Sequence, residues 1–175
     1  EAKKKAAIII DKHYAELYEK YQQALKDNNA VDFDDLLLLP LQIFEKYPKI
    51  LESYQDKWKY ILVDEYQDTN KPQFMLVKYL AKAHQQICVV GDDDQSIYGW
   101  RGADISNILD FEKTFKNSEI FKLETNYRST TYILDSAYSV VKNNHNRASK
   151  ELLADSGEGE KLGLMQTNDE MEEAD

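Results

Sequence analysis

Two short apolar segments, each running directly into a carboxylate-rich loop, constrain the fold of this chain more than any other feature. The first covers residues 60–63 and the second covers residues 87–91. Between them, residues 72–84 carry apolar side chains at helical spacing and begin with Pro72, which suits a first helical position. This order predicts a β-strand, an α-helix and a second β-strand parallel to the first.

The two polar loops follow the carboxyl ends of these strands, so the pattern places both loops at the edge of the sheet where open α/β sheets bind ligands. The first loop begins with Asp64 and Glu65. It resembles the acidic strand end of P-loop NTPases, which presents a carboxylate to Mg²⁺ beside nucleotide phosphates. In such a site Asp64 holds the ion through its water shell, and Glu65 orients or deprotonates the attacking water. The two residues alone fit a solvated turn equally well.

Three longer blocks resemble motifs II, III and IV of the superfamily-one DNA helicases of the UvrD/Rep/PcrA type, in the same order and at similar separations. They are VDEYQDTN at 63–70, VVGDDDQSIYGWRGADI at 89–105 and LETNYRST at 123–130. The similarity covers almost the whole chain. The related nuclease-fused helicase subunits usually have Lys before the Gln of the second block and Phe instead of Trp, so Asp94 and Trp100 favour the stand-alone helicases.

This resemblance implies an α/β fold: part of a RecA-like P-loop NTPase domain, with a parallel sheet and flanking helices, joined to the start of a second RecA-like domain. We expect the boundary near residue 118, which gives domains at 1–118 and 119–175. The resemblance also implies an ATP-dependent helicase or translocase that moves 3′-to-5′ on single-stranded DNA in repair or replication. ATP and Mg²⁺ are the expected cofactors.

The resemblance assigns roles residue by residue. Asp64 and Glu65 would hold the metal. Gln95 would sense the γ-phosphate and pass its state to the DNA site, and its amide can both donate and accept hydrogen bonds. Tyr127 would stack on adenine, and Arg128 would reach the γ-phosphate with a planar guanidinium suited to phosphate oxygens. Glu65, Gln95 and Arg128 are therefore the catalytic candidates.

Tyr98, Trp100 and Arg101 are the candidates for binding single-stranded DNA. Stacking of a base on an aromatic ring tolerates any sequence, as a translocating motor requires. Trp100 stands in a loop between Gly99 and Gly102, where a core position is not expected. Arg101 could contact a phosphate or a carboxylate of its own loop, and the sequence does not decide between them.

No G-x-x-x-x-G-K-[S/T] loop occurs among the 175 residues. The arginine-bearing blocks that this family has near its carboxyl end are not present either. The resemblance therefore implies a piece of a longer chain, which needs its own upstream and downstream parts and does not hydrolyse ATP alone.

Three other functions fit parts of the sequence. Asp92, Asp93 and Asp94 could serve a two-metal nuclease, although adjacent side chains of an extended chain point in opposite directions. The chain could belong to the motor of a helicase-nuclease subunit. It could also be a non-catalytic fragment that binds single-stranded DNA.

Composition limits the class of protein. The net charge of −10 argues against a general polyanion binder, so any DNA contact must rely on a local groove. Cys88 lies in an apolar strand, where a buried thiol is expected. We find neither a signal peptide nor a run of about 20 apolar residues that would span a membrane. The expected location is the cytoplasm, without a membrane partner.

Periodicity predicts the remaining elements. Asp32 should cap a helix, and capping explains Asp32, Asp34 and Asp35 without a metal. Ser129 should cap another helix, whose buried face would contain Ile133, Ala137 and Val140-Val141. The predicted helices cover residues 2–27, 33–47, 50–56, 103–115 and about 130–144, and further strands are predicted at 119–123 and 161–166.

Overall fold

The structure is a computed structural model that describes residues 9–144, 147–148 and 150–174. The chain forms two compact units. The first contains the described part of Glu1–Val63 together with Asn70–Cys88, and the second contains Asp64–Thr69 and the described part of Val89–Asp175. Among the described helices, none is long and apolar enough to cross a membrane.

The first unit is a βαβ arrangement preceded by helices. Its elements are α1 (Ile9–Asp27), α2 (Asp35–Lys46), α3 (Pro48–Lys57), β1 (Ile61–Val63), α4 (Lys71–Ala81) and β2 (Ile87–Val89), whose last residue belongs to the second unit. Residues 1–8, where the first helix was also predicted, lie outside the described residues.

Strands β1 and β2 pair in a two-stranded sheet. The N–H of Ile61 donates to the carbonyl of Gln86 at 3.0 Å, and the N–H of Tyr66 donates to the carbonyl of Val90 at 2.9 Å. Residue numbers rise together on the two segments, as they do in a parallel pair. The predicted strand, helix and parallel strand are confirmed.

Helix α4 begins where the polar loop supplies a cap. The Asn70 side chain accepts from the N–H of Gln73 at 3.0 Å, and the Gln73 side chain accepts from the N–H of Asn70 at 2.9 Å. This capping box satisfies two backbone donors at the helix start. The helix therefore begins at Lys71, one residue before the predicted start, and Pro72 occupies its second position.

Two predictions for this unit need correction. Helix α2 begins at Asp35 rather than residue 33, and residues 33–34 form a turn. Across this turn Asp32 and Asp35 each accept a hydrogen bond from the backbone N–H of the other, at 2.9 and 3.3 Å, so Asp32 caps the turn that leads into the helix. Cys88 is exposed rather than buried, since it occupies the outer face of β2 while Ile87 and Val89 are half-buried.

The second unit is built mainly from loops and short helices. Three 3₁₀ turns lie at Tyr66–Asp68, Asp93–Gln95 and Gly99–Arg101. The other elements are α5 (Ser106–Leu109), α6 (Phe111–Thr114), β3 (Thr125–Asn126), α7 (Thr131–Val141), β4 (Leu153–Ala154) and α8 (Glu170–Ala174). Strands β3 and β4 pair in parallel, with Thr125 opposite Leu153 and Asn126 opposite Ala154.

A small core holds the acidic loop of this unit. Tyr66 is fully buried, and its ring meets the edge of Phe111 with 5.8 Å between centroids. The side-chain amide of Asn107 donates to the carbonyl of Thr69 at 2.9 Å. These contacts attach residues 66–69 to helices α5 and α6.

Several elements of the second unit differ from the prediction. The helix predicted at 103–115 is two short helices, separated at Asp110. Residues 119–123 form no strand: Phe121 is 79% exposed, and within the described chain no strand pairs with this segment. The strand predicted at 161–166 is also wrong, since these residues form no strand. The last strand of the described chain is β4, which lies earlier in the sequence.

Helix α7 begins later than predicted, and its apolar side chains are more exposed than predicted. Ser129 does not cap it, since its N–H donates to the side chain of Asn126 at 2.8 Å and the helix follows Thr130. The predicted buried face is wrong: Ile133 is 46% exposed and Val140 is 71% exposed, because the unit presents too few neighbours to cover the helix.

Candidate functional site

Asp64 and Glu65 stand at the exit of β1, on a tight turn. Glu65 has a φ of 50°, in the left-handed region that residues other than glycine rarely adopt. Such a conformation costs about 1–3 kcal/mol and persists where the surroundings impose it. The Asp64 carboxylate accepts from the N–H of Glu65 at 2.9 Å. The next residue, Tyr66, is buried and anchors the end of the turn. The turn holds both carboxylates exposed at the end of the strand.

The donor set of this turn fits Mg²⁺. Asp64 and Glu65 offer carboxylate oxygens, the hard ligands that this ion prefers, and both side chains are open to the water that Mg²⁺ retains. Burial raises the pKa of Tyr66 to about 12, so this phenol stays neutral beneath the turn at physiological pH. It therefore adds no charge to the pair of carboxylates.

Gln67 joins the first polar loop to the second. Its side-chain amide donates to the carboxylate of Glu65 at 2.8 Å, and its side-chain oxygen accepts from the N–H of Asp92 at 3.0 Å. Its backbone carbonyl accepts from the hydroxyl of Ser96 at 3.3 Å. Gln67 is 1% exposed, so these bonds replace water. We did not predict this link, because a Gln inside an acidic loop gives no periodic signal.

Gly91 leaves the room that Gln67 needs. A Cβ at this position would lie 2.6 Å from the side-chain oxygen of Gln67 and 2.8 Å from Cδ1 of Ile108. Both distances are shorter than real Cβ contacts. A residue larger than glycine would therefore displace Gln67 or Ile108.

We expect Gly91→Ala to destabilise the chain by about 1–3 kcal/mol, the usual cost of overpacking. Thermal unfolding followed by circular dichroism would measure the loss. Gly99→Ala is the matched control, because a Cβ there has nothing within 4 Å. Equal melting temperatures for the two variants would show that the second loop does not depend on the space at Gly91.

Gln95 closes the 3₁₀ turn of the second loop. Its side-chain amide donates to one carboxylate oxygen of Asp92 at 2.8 Å, and the other oxygen accepts from the N–H of Asp94 at 3.0 Å. The Gln95 side chain is exposed. Asp92 therefore fixes a side chain that remains accessible from solution.

Tyr98, Trp100 and Arg101 form an exposed cluster. The Arg101 guanidinium lies 4.9 Å from the centroid of Trp100 and 5.4 Å from that of Tyr98. Trp100 is 77% exposed, which confirms that it is no core residue. In the described chain the Arg101 guanidinium contacts these two aromatic rings, and it forms no ion pair with a carboxylate of its own loop. Gly102, with a φ of 87°, lets the chain turn away after this cluster.

Tyr127 and Arg128 leave β3 on a turn made by Asn126. The Asn126 side chain accepts from the N–H groups of Arg128 at 2.9 Å and of Ser129 at 2.8 Å. Such an Asx turn is a common use of Asn, and it is the signal that could have identified Asn126 as a positioning residue. The Tyr127 side chain is 75% exposed. Among the described residues, no hydrogen bond or ion pair joins Tyr127 or Arg128 to the acidic turn.

Comparison with known proteins gives the family of this chain. Residues 2–116 match the model of the UvrD/REP helicase N-terminal domain. The chain belongs to the UvrD/REP helicase family. Residues 121–175 match the model of the UvrD-like helicase C-terminal domain. The resemblance inferred from the three sequence blocks is confirmed, and so is the α/β class of the fold.

Individual members of the UvrD/REP helicase family align along nearly the whole chain. The ATP-dependent DNA helicase PcrA of Bacillus subtilis is 49% identical over 173 residues, which are 99% of this chain and 23% of that protein. DNA helicase II of Rickettsia typhi is 53% identical over 158 residues, 90% of this chain and 24% of that protein. The PcrA of Staphylococcus aureus strain Mu50 is 49% identical over all 175 residues and 24% of its own length. The chain thus spans about a quarter of each relative.

Proposed function

We propose that this chain supplies part of the motor of an ATP-dependent DNA helicase that moves 3′-to-5′ on single-stranded DNA. The observation that carries the proposal is the bond network through Gln67, which ties the carboxylate of Glu65 to the loop of Gln95. A motor needs such a connection, because ATP hydrolysis at the nucleotide site must change the affinity of the DNA-binding site. Membership of the UvrD/REP helicase family supports the same function.

The chemistry at the acidic turn follows from its residues. Asp64 and Glu65 would hold Mg²⁺, which when bound neutralises charge on the phosphates of ATP. Glu65 would orient the attacking water and take its proton. The amide that Gln67 donates to Glu65 fixes one carboxylate oxygen and leaves the other for the water. Gln95, held by Asp92, would meet the γ-phosphate from the second loop.

Tyr127 and Arg128 would complete the nucleotide site. Their exposure leaves the phenol free to stack on adenine and the guanidinium free to approach the γ-phosphate. Stabilising the charge that develops on the transferred phosphoryl group is the recurrent task of an arginine in this chemistry. We further propose that the division near residue 118 separates two motor domains, so that Arg128 acts from the second of them.

The cluster of Tyr98, Trp100 and Arg101 would bind single-stranded DNA. Two aromatic faces suit base stacking, and a cation beside them suits the phosphate backbone. The cluster gives a local cationic and aromatic surface on a chain whose net charge is −10. A cytoplasmic protein that acts in DNA repair or replication is consistent with this role.

We expect Trp100→Ala to weaken binding of single-stranded DNA by the longer protein about tenfold or more, since stacking contributes on the order of 1–3 kcal/mol per base. Fluorescence anisotropy with a labelled oligonucleotide would measure the dissociation constant. Phe33→Ala is the control, because this ring is 83% exposed and lies in the other unit. Unchanged affinity in Trp100→Ala would remove this cluster from the DNA path.

The test of the function itself is phosphate release by the longer protein that contains this chain, with Mg·ATP in the presence and absence of single-stranded DNA. We expect release that DNA stimulates. DNA binding that is insensitive to nucleotide, without hydrolysis, would favour the non-catalytic binding protein instead. Cleavage of DNA with divalent metal and no ATP would favour a nuclease.

A further inference from the structure

Three adjacent carboxylates, those of Asp92, Asp93 and Asp94, converge in the second loop. One oxygen from each lies within 4.8 Å of the others. The side chains of Asp93 and Asp94 are only 7% and 8% exposed. Three negative charges this close and this poorly hydrated need compensation if the loop is to stay folded. The 3₁₀ turn at Asp93–Gln95 explains why they converge, since it breaks the alternation of an extended chain.

The compensation comes from a segment more than fifty residues further along the chain. Arg147 binds Asp94 with two parallel hydrogen bonds, from Nε at 2.9 Å and from Nη2 at 2.7 Å. Lys150 contacts Asp92 directly and lies 3.4 Å from Asp93. The N–H of Ala148 donates to the remaining oxygen of Asp93 at 2.6 Å. Each of the three carboxylates therefore has a donor from residues 147–150.

The arrangement is a built contact rather than a chance surface pair. The side chains of Arg147 and Lys150 are 13% and 16% exposed. A two-pronged Arg–carboxylate pair is both strong and geometrically specific. The guanidinium of Arg147 also lies 5.5 Å from the ring centroid of Tyr138 in α7, which fixes its other face.

The neighbouring cations favour the ionised forms of Asp92 and Asp94. Hydrogen bonds from Arg147 lower the pKa of Asp94 from its ordinary value. Burial raises the pKa of Asp92, but the hydrogen bonds from Lys150 and Gln95 outweigh burial, so this pKa is also lowered. Cations of the same chain therefore lie against the three carboxylates that could otherwise be considered ligands of a metal ion.

Asp92 carries the effect of this contact to Gln95. The same carboxylate that meets Lys150 accepts the side-chain amide of Gln95, and the N–H of Asp92 donates to Gln67. We propose that Arg147 and Lys150 are positioning residues: they hold the Asp92–Asp94 turn so that Gln95 is presented to the γ-phosphate. The assignment of Gln95 rests on the proposed function, whereas the ion-pair contact does not.

The contact itself is tested by thermal unfolding of the 175-residue chain in a double-mutant cycle of Arg147→Met and Asp94→Asn. We expect each single variant to melt about 5 °C below wild type. The melting temperature of the double variant should fall by clearly less than the sum of the two single decreases. Arg147→Lys should fall between wild type and Arg147→Met, because it keeps the charge and loses the second hydrogen bond. Strictly additive losses would overturn the contact.

The positioning role is tested in the longer protein by the ratio of DNA-stimulated to DNA-independent phosphate release. A variant that only loses folded protein scales both rates equally and leaves this ratio unchanged. We expect Arg147→Met and Lys150→Met to lower the ratio about fivefold or more, a usual size for coupling between sites. Lys161→Met, at an exposed lysine, should leave it unchanged.

The melting cycle and the phosphate-release ratio together distinguish a failure of the contact, of the positioning role and of the proposed function. Coupled melting with an unchanged ratio would leave the contact standing and overturn the positioning role. A wild-type protein that releases no phosphate would contradict the proposed function, and with it the role of Gln95, while the melting cycle still reports on the contact. A lowered ratio with coupled melting is the result that we expect.

Discussion

Replacing Glu65 by Gln in the longer protein is expected to lower the turnover number for ATP about 10²–10⁴-fold, the usual contribution of a positioned general base. The variant keeps the shape of the side chain and removes the group that takes the proton. Its affinity for Mg·ATP should change little, because Asp64 remains to meet the ion. Steady-state phosphate release gives the turnover number, and equilibrium binding of a fluorescent nucleotide gives the affinity.

Glu112→Gln serves as the matched control for this prediction. Glu112 is an exposed carboxylate of α6, so its loss tests the effect of removing one negative charge. Turnover in Glu65→Gln close to that of Glu112→Gln would show that another group activates the water. The amide that Gln67 donates to Glu65 would then be a structural bond only.

The 175-residue chain by itself is expected to release no phosphate from ATP above background and to bind Mg·ATP at most very weakly. It contains carboxylates for the ion and the water, together with Tyr127 and Arg128. Its sequence contains no loop of backbone amides and lysine that would hold the phosphates, and such loops provide much of the affinity for nucleotides. Phosphoryl transfer depends almost entirely on positioning, so a phosphate that is not held should not react.

Isothermal titration of the chain with Mg·ATP and a phosphate-release assay would check this expectation, with and without single-stranded DNA. Exposed sheet edges can pair with other chains, so the sample should first be examined for self-association. Turnover that vanishes in Glu65→Gln would show that a phosphate-binding loop is not essential. Turnover that persists in Glu65→Gln would indicate a contaminating enzyme.

The sequence predicted the parts of the fold that local signals determine. Apolar runs with β-branched residues placed β1 and β2, and helical spacing placed α4 between them. The family was also recognisable, because three long blocks occur in order. The positions of Glu65 and Gln95 at the ends of neighbouring segments followed from the same pattern.

The predictions that failed depended on partners distant in the sequence. Residues 119–123 are apolar enough for a strand, but a strand requires a neighbour to accept its hydrogen bonds, and pairing is made instead by Thr125–Asn126. Helix α7 has an apolar face, yet Val140 is 71% exposed because the described chain places little against it. Periodicity reports which face an element would bury and not whether something covers it.

The links between functional loops were equally invisible in the sequence. Gln67 reaches Asp92 across 25 positions, and Arg147 reaches Asp94 across 53. Neither pair has a spacing that local geometry could predict. The sequence indicated that the three adjacent Asp side chains point in different directions, whereas the structure brings them together and pairs them with cations of the same chain.

The most direct test compares DNA-stimulated phosphate release in four samples: the longer protein and the 175-residue chain, each as wild type and as Glu65→Gln. We expect substantial release only from the wild-type longer protein, with a loss of about 10²-fold or more in its variant and background values for both forms of the short chain. Equal release by both forms of the longer protein would contradict the claim that Glu65 drives hydrolysis in this motor.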